Sequence, residues 1–152
     1  MHIVLVEPEI PANTGNIART CAATGTILHL VRPLGFSTDD KYLKRAGLDY
    51  WHLVEIHYYD NFQEFARKNS HRRFLLTTTK GNRFYTEISY QPEDMLLFGK
   101  ETEGLSMEIR QAYPDNQLRI PMIGAARSLN LGNSVATVLY EALRQQGFPG
   151  LI

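Results

Sequence analysis

Apolar residues fall along this chain in short runs, and most runs end on a turn or cap residue. Runs at 3–6, 26–31, 54–58, 74–79, 94–98 and 118–122 have strand length. Most lack strict alternation, the pattern of strands buried on both faces. Between them the spacing changes to three and four. Residues 17–23 predict a helix with Ile17 and Cys21 inward and Gly25 as its stop. Residues 61–69 predict another, with Phe62, Phe65 and Ala66 inward, and 106–112 a third. The cluster Ser37-Thr38-Asp39-Asp40 predicts a helix start ahead of a basic stretch, 41–46. Residues 8–16, with two prolines and a glycine, read as a loop. Strands alternating with helices predict an α/β fold, a parallel sheet with helices on both faces, in one domain over 1–152. Ligands in such sheets gather at the carboxyl ends of the strands. Three polar loops follow strand ends, at 77–81, 99–104 and 123–133, and are expected to converge on one crevice.

The last third departs from an ordinary loop pattern. Loops expose polar residues, yet Leu129 and Leu131 alternate with Ser128, Asn130 and Gly132. Both leucines are expected to be buried, with Ser128, Asn130 and Asn133 hydrogen-bonding into something enclosed. A helix follows, with Val135, Val138, Leu139, Ala142 and Leu143 on one face and Asn133 or Ser134 as its cap. Gly147 and Pro149 end it. A half-buried loop between a strand and a helix N-terminus is a good place to hold a polar ligand.

Composition narrows the class. Sixteen basic residues balance sixteen acidic ones, which argues against coating nucleic acid by bulk charge and leaves room for a local basic patch. One cysteine, Cys21, excludes an internal disulfide and a cysteine-rich zinc site, and it reads as a small packing residue. No apolar run approaches the roughly 20 residues of a membrane span, and the first strand begins at once. The expectation is a soluble, cytoplasmic protein without a membrane partner.

Several clusters could carry chemistry. The stretch 99–104 begins at a strand end, but no Lys-Ser or Lys-Thr follows its second glycine, so it is not a P-loop. Its glycine spacing is also wrong for a dinucleotide site, which weakens an oxidoreductase reading. Glu101 and Glu103 suit a cationic ligand. Asn13-Thr14-Gly15-Asn16 with Arg19 places a guanidinium near a helix start, where it can reach a phosphate. Lys41, Lys44 and Arg45 lie near Tyr42, Tyr50 and Trp51, a mixture that suits single-stranded nucleic acid or, more blandly, a solvated helix face beside core aromatics. The five histidines have no metal-ligand spacing, and Ser128 has no triad partners in view, so no metal site and no hydrolase are expected.

Read together and in order, these stretches resemble a known family. Asn13-Thr14-Gly15-Asn16 with Arg19, Phe98-Gly99-Lys100-Glu101 with Gly104, Ile120-Pro121, and Ser128-Leu129-Asn130-Leu131 with Asn133-Ser134-Val135-Ala136 match the three motifs of the SpoU-type branch of SPOUT RNA methyltransferases. The opening 6–11 and the segment 35–50 look like its small subgroup acting on the wobble nucleotide of leucine tRNAs. The resemblance spans essentially the whole chain; one departure is Lys100, where the subgroup commonly has proline.

The resemblance implies a deep C-terminal trefoil knot, although knots are nearly absent from proteins. It implies that S-adenosyl-L-methionine binds at Thr77, Gly99, Glu101, Gly104, Ile120, Ser128, Leu129 and Leu131. Arg19, Asn130 and Tyr140 would be closest to the chemistry. Asn13, Asn16, Arg19, Lys41, Lys44, Arg45 and Arg127 would meet the anticodon stem-loop of the RNA. A homodimer with a composite active site is also implied. The reaction would be an in-line displacement by a ribose 2′-hydroxyl. Arginine is effectively never deprotonated, so Arg19 is expected to clamp a phosphate and stabilise developing charge rather than act as a base. The alternatives are a related 2′-O-methyltransferase on another RNA and a non-catalytic RNA-binding protein on the same scaffold.

Overall fold

The computed structural model describes residues 1–38, 41 and 51–152. The segment containing Tyr42, Lys44, Arg45 and Tyr50 lies outside the described residues, as does most of the basic helix expected over 41–46. In chain order the elements are β1 (His2–Val6), α1 (Pro11–Thr24), β2 (Ile27–Val31), β3 (Ile56–Tyr59), α2 (Phe62–Lys68), β4 (Phe74–Thr77), β5 (Arg83–Phe84), β6 (Met95–Phe98), α3 (Met107–Ala112), a 3-10 turn (Pro114–Asn116), β7 (Gln117–Arg119) and α4 (Leu131–Gln145). The strands form one sheet in the order β3-β2-β1-β6-β4-β7-β5, with every pairing parallel.

Both faces of this sheet are covered. In β1, Ile3 and Leu5 join a core built with Ile17 and Cys21 of α1 and Val135, Val138, Leu139 and Ala142 of α4. Val4 and Val6 point the other way, into a core with Phe65 of α2 and Ile109 of α3. A strand buried on both sides has no solvent face on which to alternate, which is why its sequence reads as a continuous apolar run. Burying one such side chain contributes about 1.5–3 kcal/mol.

Three boundaries differ from expectation. Among the described residues the strands number seven rather than six, because two-residue β5 is too short to leave a pattern. β7 ends at Arg119, and Ile120 to Met122 leave the sheet instead of extending it. Most consequentially, α1 begins at Pro11, within the stretch read as a loop. Proline is well placed at a first helical position, where no amide hydrogen is needed, and a distant carboxylate caps this end.

Three histidines stack at the edge of the second core. His2 Nδ1 lies 3.0 Å from His29 Nε2, and the His29 and His57 rings stack at 5.1 Å. His29 Nδ1 lies 2.9 Å from the Tyr59 hydroxyl. Arg72 can only donate, so its 2.8 Å contact makes His2 Nε2 an acceptor. That assigns the proton to His2 Nδ1, and in turn to His29 Nδ1. Burial first, and the neighbouring His2, His57 and Arg72 charges next, push His29 down to about 3. No cluster of metal-ligating side chains occurs among the described residues.

Candidate functional site

The parallel register sets the carboxyl ends of four strands side by side. Phe98 at the end of β6 pairs with Leu5 of β1 and with Thr77 of β4, and Thr77 pairs with Leu118 of β7. The loops leaving β1, β4, β6 and β7 therefore emerge at one edge and enclose a cleft of about 460 Å³. That is the size of an ordinary small-molecule site.

All eight residues expected to hold a cofactor line this cleft: Thr77, Gly99, Glu101, Gly104, Ile120, Ser128, Leu129 and Leu131. Asn13, Arg127 and Asn130 line it as well. Ile10, Thr78, Lys80, Met122 and Arg110 are among its other lining residues. Thr78 and Lys80 lie on a loop already suspected, whereas Arg110 carries no signal in the sequence. Arg19, Asn16 and Tyr140 are exposed and lie outside the lining, and so does exposed Lys41. Only one of the two leucines behaves as expected. Leu131 is buried as the first residue of α4, while Leu129 remains 43 % exposed at the mouth of the cleft. Ser128 and Asn130 are exposed as well, so this loop presents its polar groups at the rim.

The glycine loop is fixed by contact. A methyl group at Gly99 would fall 2.0 Å from the Gly104 carbonyl carbon and 2.1 Å from the Leu105 nitrogen, so only glycine lets the two ends of the loop touch. Gly104 closes the turn at φ +71°, donating to the Lys100 carbonyl at 2.9 Å. Lys100 Nζ pairs with Glu7 at 3.0 Å. Thr102 donates from both its amide and its hydroxyl to Glu9. The first loop and the glycine loop, more than ninety residues apart in sequence, are thus tied by two charged contacts.

Glu101 organises the site through its hydrogen bonds. Its carboxylate accepts from the Glu9 amide at 2.8 Å, the Ile10 amide at 3.1 Å and the Asn13 side-chain amide at 3.1 Å. Ile10, the residue flanking α1, makes no side-chain cap of its own. Glu101 supplies that cap from across the cleft, where the helix N-terminus also favours negative charge. Asn13 Oδ1 then accepts from Asn130 Nδ2 at 3.0 Å, and Asn130 Oδ1 accepts from the Asn133 amide at 3.3 Å. Asn130, rather than Asn133 or Ser134, is therefore the cap of α4. One chain of hydrogen bonds runs from the glycine loop through α1 to α4. It fixes both asparagine amides, because each oxygen must accept and each nitrogen must donate.

The cleft has the mixed lining that an amphipathic small molecule needs. Leu105, Ile120, Met122 and Leu131 give it apolar walls, and the glycine loop lets a ligand approach the backbone. Thr77 Oγ1 is buried there without a hydrogen-bond partner, an acceptor and donor held for something else.

The parallel sheet and its strand-end cleft fit the SPOUT class of methyltransferases. Residues 1–140 match the SpoU rRNA Methylase family, and the chain belongs to that family. A relative from Geobacillus stearothermophilus is 56 % identical over 99 % of this chain and 98 % of its own length. The tRNA (cytidine(34)-2'-O)-methyltransferase of Escherichia coli K12 is 48 % identical over 100 % of this chain and 98 % of its own. A solved structure described as giving insight into 2-OH methylation of C/U34 on tRNA superposes with a TM-score of 0.92 at 44 % identity, covering 96 % of this chain and 95 % of that one. The AdoMet-bound rRNA methyltransferase of Sinorhizobium meliloti superposes at 0.85 and 28 % identity, over 94 % of this chain and 55 % of that one. The family's cofactor is S-adenosylmethionine. The strand order and the placement of 120–130 against the glycine loop are consistent with the family's trefoil knot.

Proposed function

We propose that this chain methylates the ribose 2′-hydroxyl of the wobble nucleotide, cytidine or modified uridine at position 34, in leucine tRNAs. The observation that carries the reading is the convergence of all eight expected cofactor residues on one cleft. The similarity to the Escherichia coli tRNA enzyme over both whole chains adds the substrate class. Bound in the cleft, S-adenosylmethionine supplies an electrophilic methyl group. Leu129, Leu131 and Ile120 would hold its apolar parts, and the backbone at Gly99 and Gly104 would hold its polar edge. Asn130 is held by Asn13 and is poised to orient the incoming ribose. Positioning of this kind can supply several kcal/mol.

Arg19 and Tyr140 sit on the outer faces of α1 and α4, away from the cleft of their own chain. A homodimer would resolve this by bringing them to the partner's cleft, with Arg19 clamping a phosphate beside the target ribose. Asn16, Arg127, Lys41, Lys44 and Arg45 would extend that surface along the anticodon stem-loop. Residues 1–152 then act as one catalytic domain in the cytoplasm, and no helix among the described residues is long and apolar enough to cross a membrane. The test is mass spectrometry of nucleosides from total tRNA incubated with the protein and isotopically labelled S-adenosylmethionine. Labelled 2′-O-methylcytidine or a 2′-O-methyluridine derivative from leucine tRNA is expected. Cofactor binding without incorporation into tRNA overturns the assignment.

A further inference from the structure

A second groove, of about 360 Å³, adjoins the cofactor cleft on the far side of the segment 119–127. It shares Lys80, Ile120, Met122 and Arg127 with the cleft and adds Phe84 and Arg119 of its own. Its charge is one-sided. None of its lining residues is acidic. Several cations elsewhere are matched: Arg72 with Glu93, Arg73 with Asp94, Lys100 with Glu7 and Arg144 with Glu141. Lys80, Arg119 and Arg127 have no carboxylate within ion-pair distance among the described residues. A chain with no net charge thus gathers unpaired cations beside its methyl-donor site.

The groove also offers a flat surface. The Arg119 guanidinium lies 4.8 Å from the centre of the Phe84 ring. Arg119 is exposed, and Phe84 is partly so. Planar cations and aromatic rings are surfaces on which unpaired bases stack, while neighbouring cations hold the backbone phosphate. Two-residue β5 and three-residue β7 pair Phe84 with Arg119 directly in register, so the pair rests on the sheet rather than on a loose loop.

Resting on the function proposed above, we propose that this groove is a subsite for one single-stranded nucleotide flanking the methylated residue. Its base stacks on the Arg119–Phe84 pair and its phosphate lies between Lys80 and Arg127. The groove sets where the RNA strand runs and so which ribose enters the cleft.

Arg119→Ala and Phe84→Leu test this, because both residues line the groove alone and leave the cofactor cleft intact. With tRNA as substrate, each is expected to raise KM roughly tenfold, with kcat and S-adenosylmethionine affinity near wild type. For binding of a single-stranded oligonucleotide carrying 2-aminopurine, Lys80→Ala is expected to reduce the slope of log K against log salt by about 0.7, and Arg119→Ala to abolish the quenching of 2-aminopurine. Arg119→Lys does not recover that quenching, since lysine has no plane to stack. Wild-type KM and quenching in both the Arg119→Ala and Phe84→Leu variants overturn the subsite, as does a wild-type salt slope in Lys80→Ala or a loss confined to cofactor affinity. If the wild-type protein methylates no tRNA, the functional reading fails, and the oligonucleotide arm still decides whether the groove binds single strands. Should Phe84→Leu not fold, the two Arg119 variants carry the decision.

Discussion

Glu101→Gln separates two roles that a carboxylate beside this cleft could have. In the structure it takes three donors, two backbone amides at the start of α1 and the Asn13 side chain. A glutamine keeps one acceptor oxygen and replaces the other by a donor. At best it retains the Ile10 and Asn13 bonds and turns an amide nitrogen toward the Glu9 N–H. One charge-assisted bond is lost outright, at about 1.5–3 kcal/mol, and the other two lose their charge. The anion at the helix N-terminus disappears too, a further few tenths to about 1 kcal/mol. A loss of about 3 kcal/mol corresponds to a fall in Tm of about 6–12 °C for a chain of this length. Differential scanning fluorimetry of the cofactor-free protein reads this directly. Titration calorimetry supplies the second axis. A cap acts on loop geometry, so Glu101→Gln should weaken S-adenosylmethionine and S-adenosylhomocysteine alike. A counter-ion to the sulfonium would discriminate between them, because only the first carries a positive charge. An unchanged Tm together with selective loss of S-adenosylmethionine would refute the capping argument.

Further outcomes follow from the same geometry. Asn130→Ala removes the cap of α4, about 1 kcal/mol, and frees Asn13, so Tm should drop a few degrees while kcat falls much further. A proportionate change in both would make Asn130 merely structural. Gly99→Ala forces a methyl group into backbone that cannot move aside, costing about 1–3 kcal/mol or more, and cofactor binding by calorimetry should vanish before the fold does. Arg19→Lys should lose most turnover with no new ionisation in the pH-rate profile; retained turnover with a profile shifted toward a lysine pKa would instead make Arg19 the base. The histidine stack predicts acid sensitivity. His29 is buried and held neutral down to about 3, while the unfolded chain protonates it near 6.5. The unfolded state therefore binds the extra proton, and stability is full above about pH 6.5 and declines as pH falls toward 3. At pH 5 the loss from His29 alone is about 2 kcal/mol, and His29→Gln should flatten Tm against pH between 7 and 5.

The loops that line the cleft were legible before any fold was known, because they carry local signatures, while the individual cofactor residues came from the family resemblance. Gly99 and Gly104 bracket a turn at a strand end, and Ser128 to Asn133 place polar groups and leucines where a plain turn needs neither. The apolar runs specified the strands because a strand covered on both faces must be apolar throughout. Where pattern failed, the controlling contact lay far away in sequence. The stretch 8–16 looks like a loop, yet its helix starts at Pro11 since Glu101 satisfies the amides that no neighbour could. Leu129 reads as core, yet it stands exposed at the mouth of the cleft. Two-residue β5 exists only through its pairing with β7.

Composition, strand runs and motif order were thus determined by the chain alone, through interactions reaching a few residues. Which loops meet was decided only by tertiary structure. Parallel register set four strand ends level, and that alone placed Asn13 against Glu101 and Asn130, and Arg119 on Phe84. Hydrogen bonds and stacking act over a few ångströms, and no spacing along a sequence states which distant residues will come within that reach.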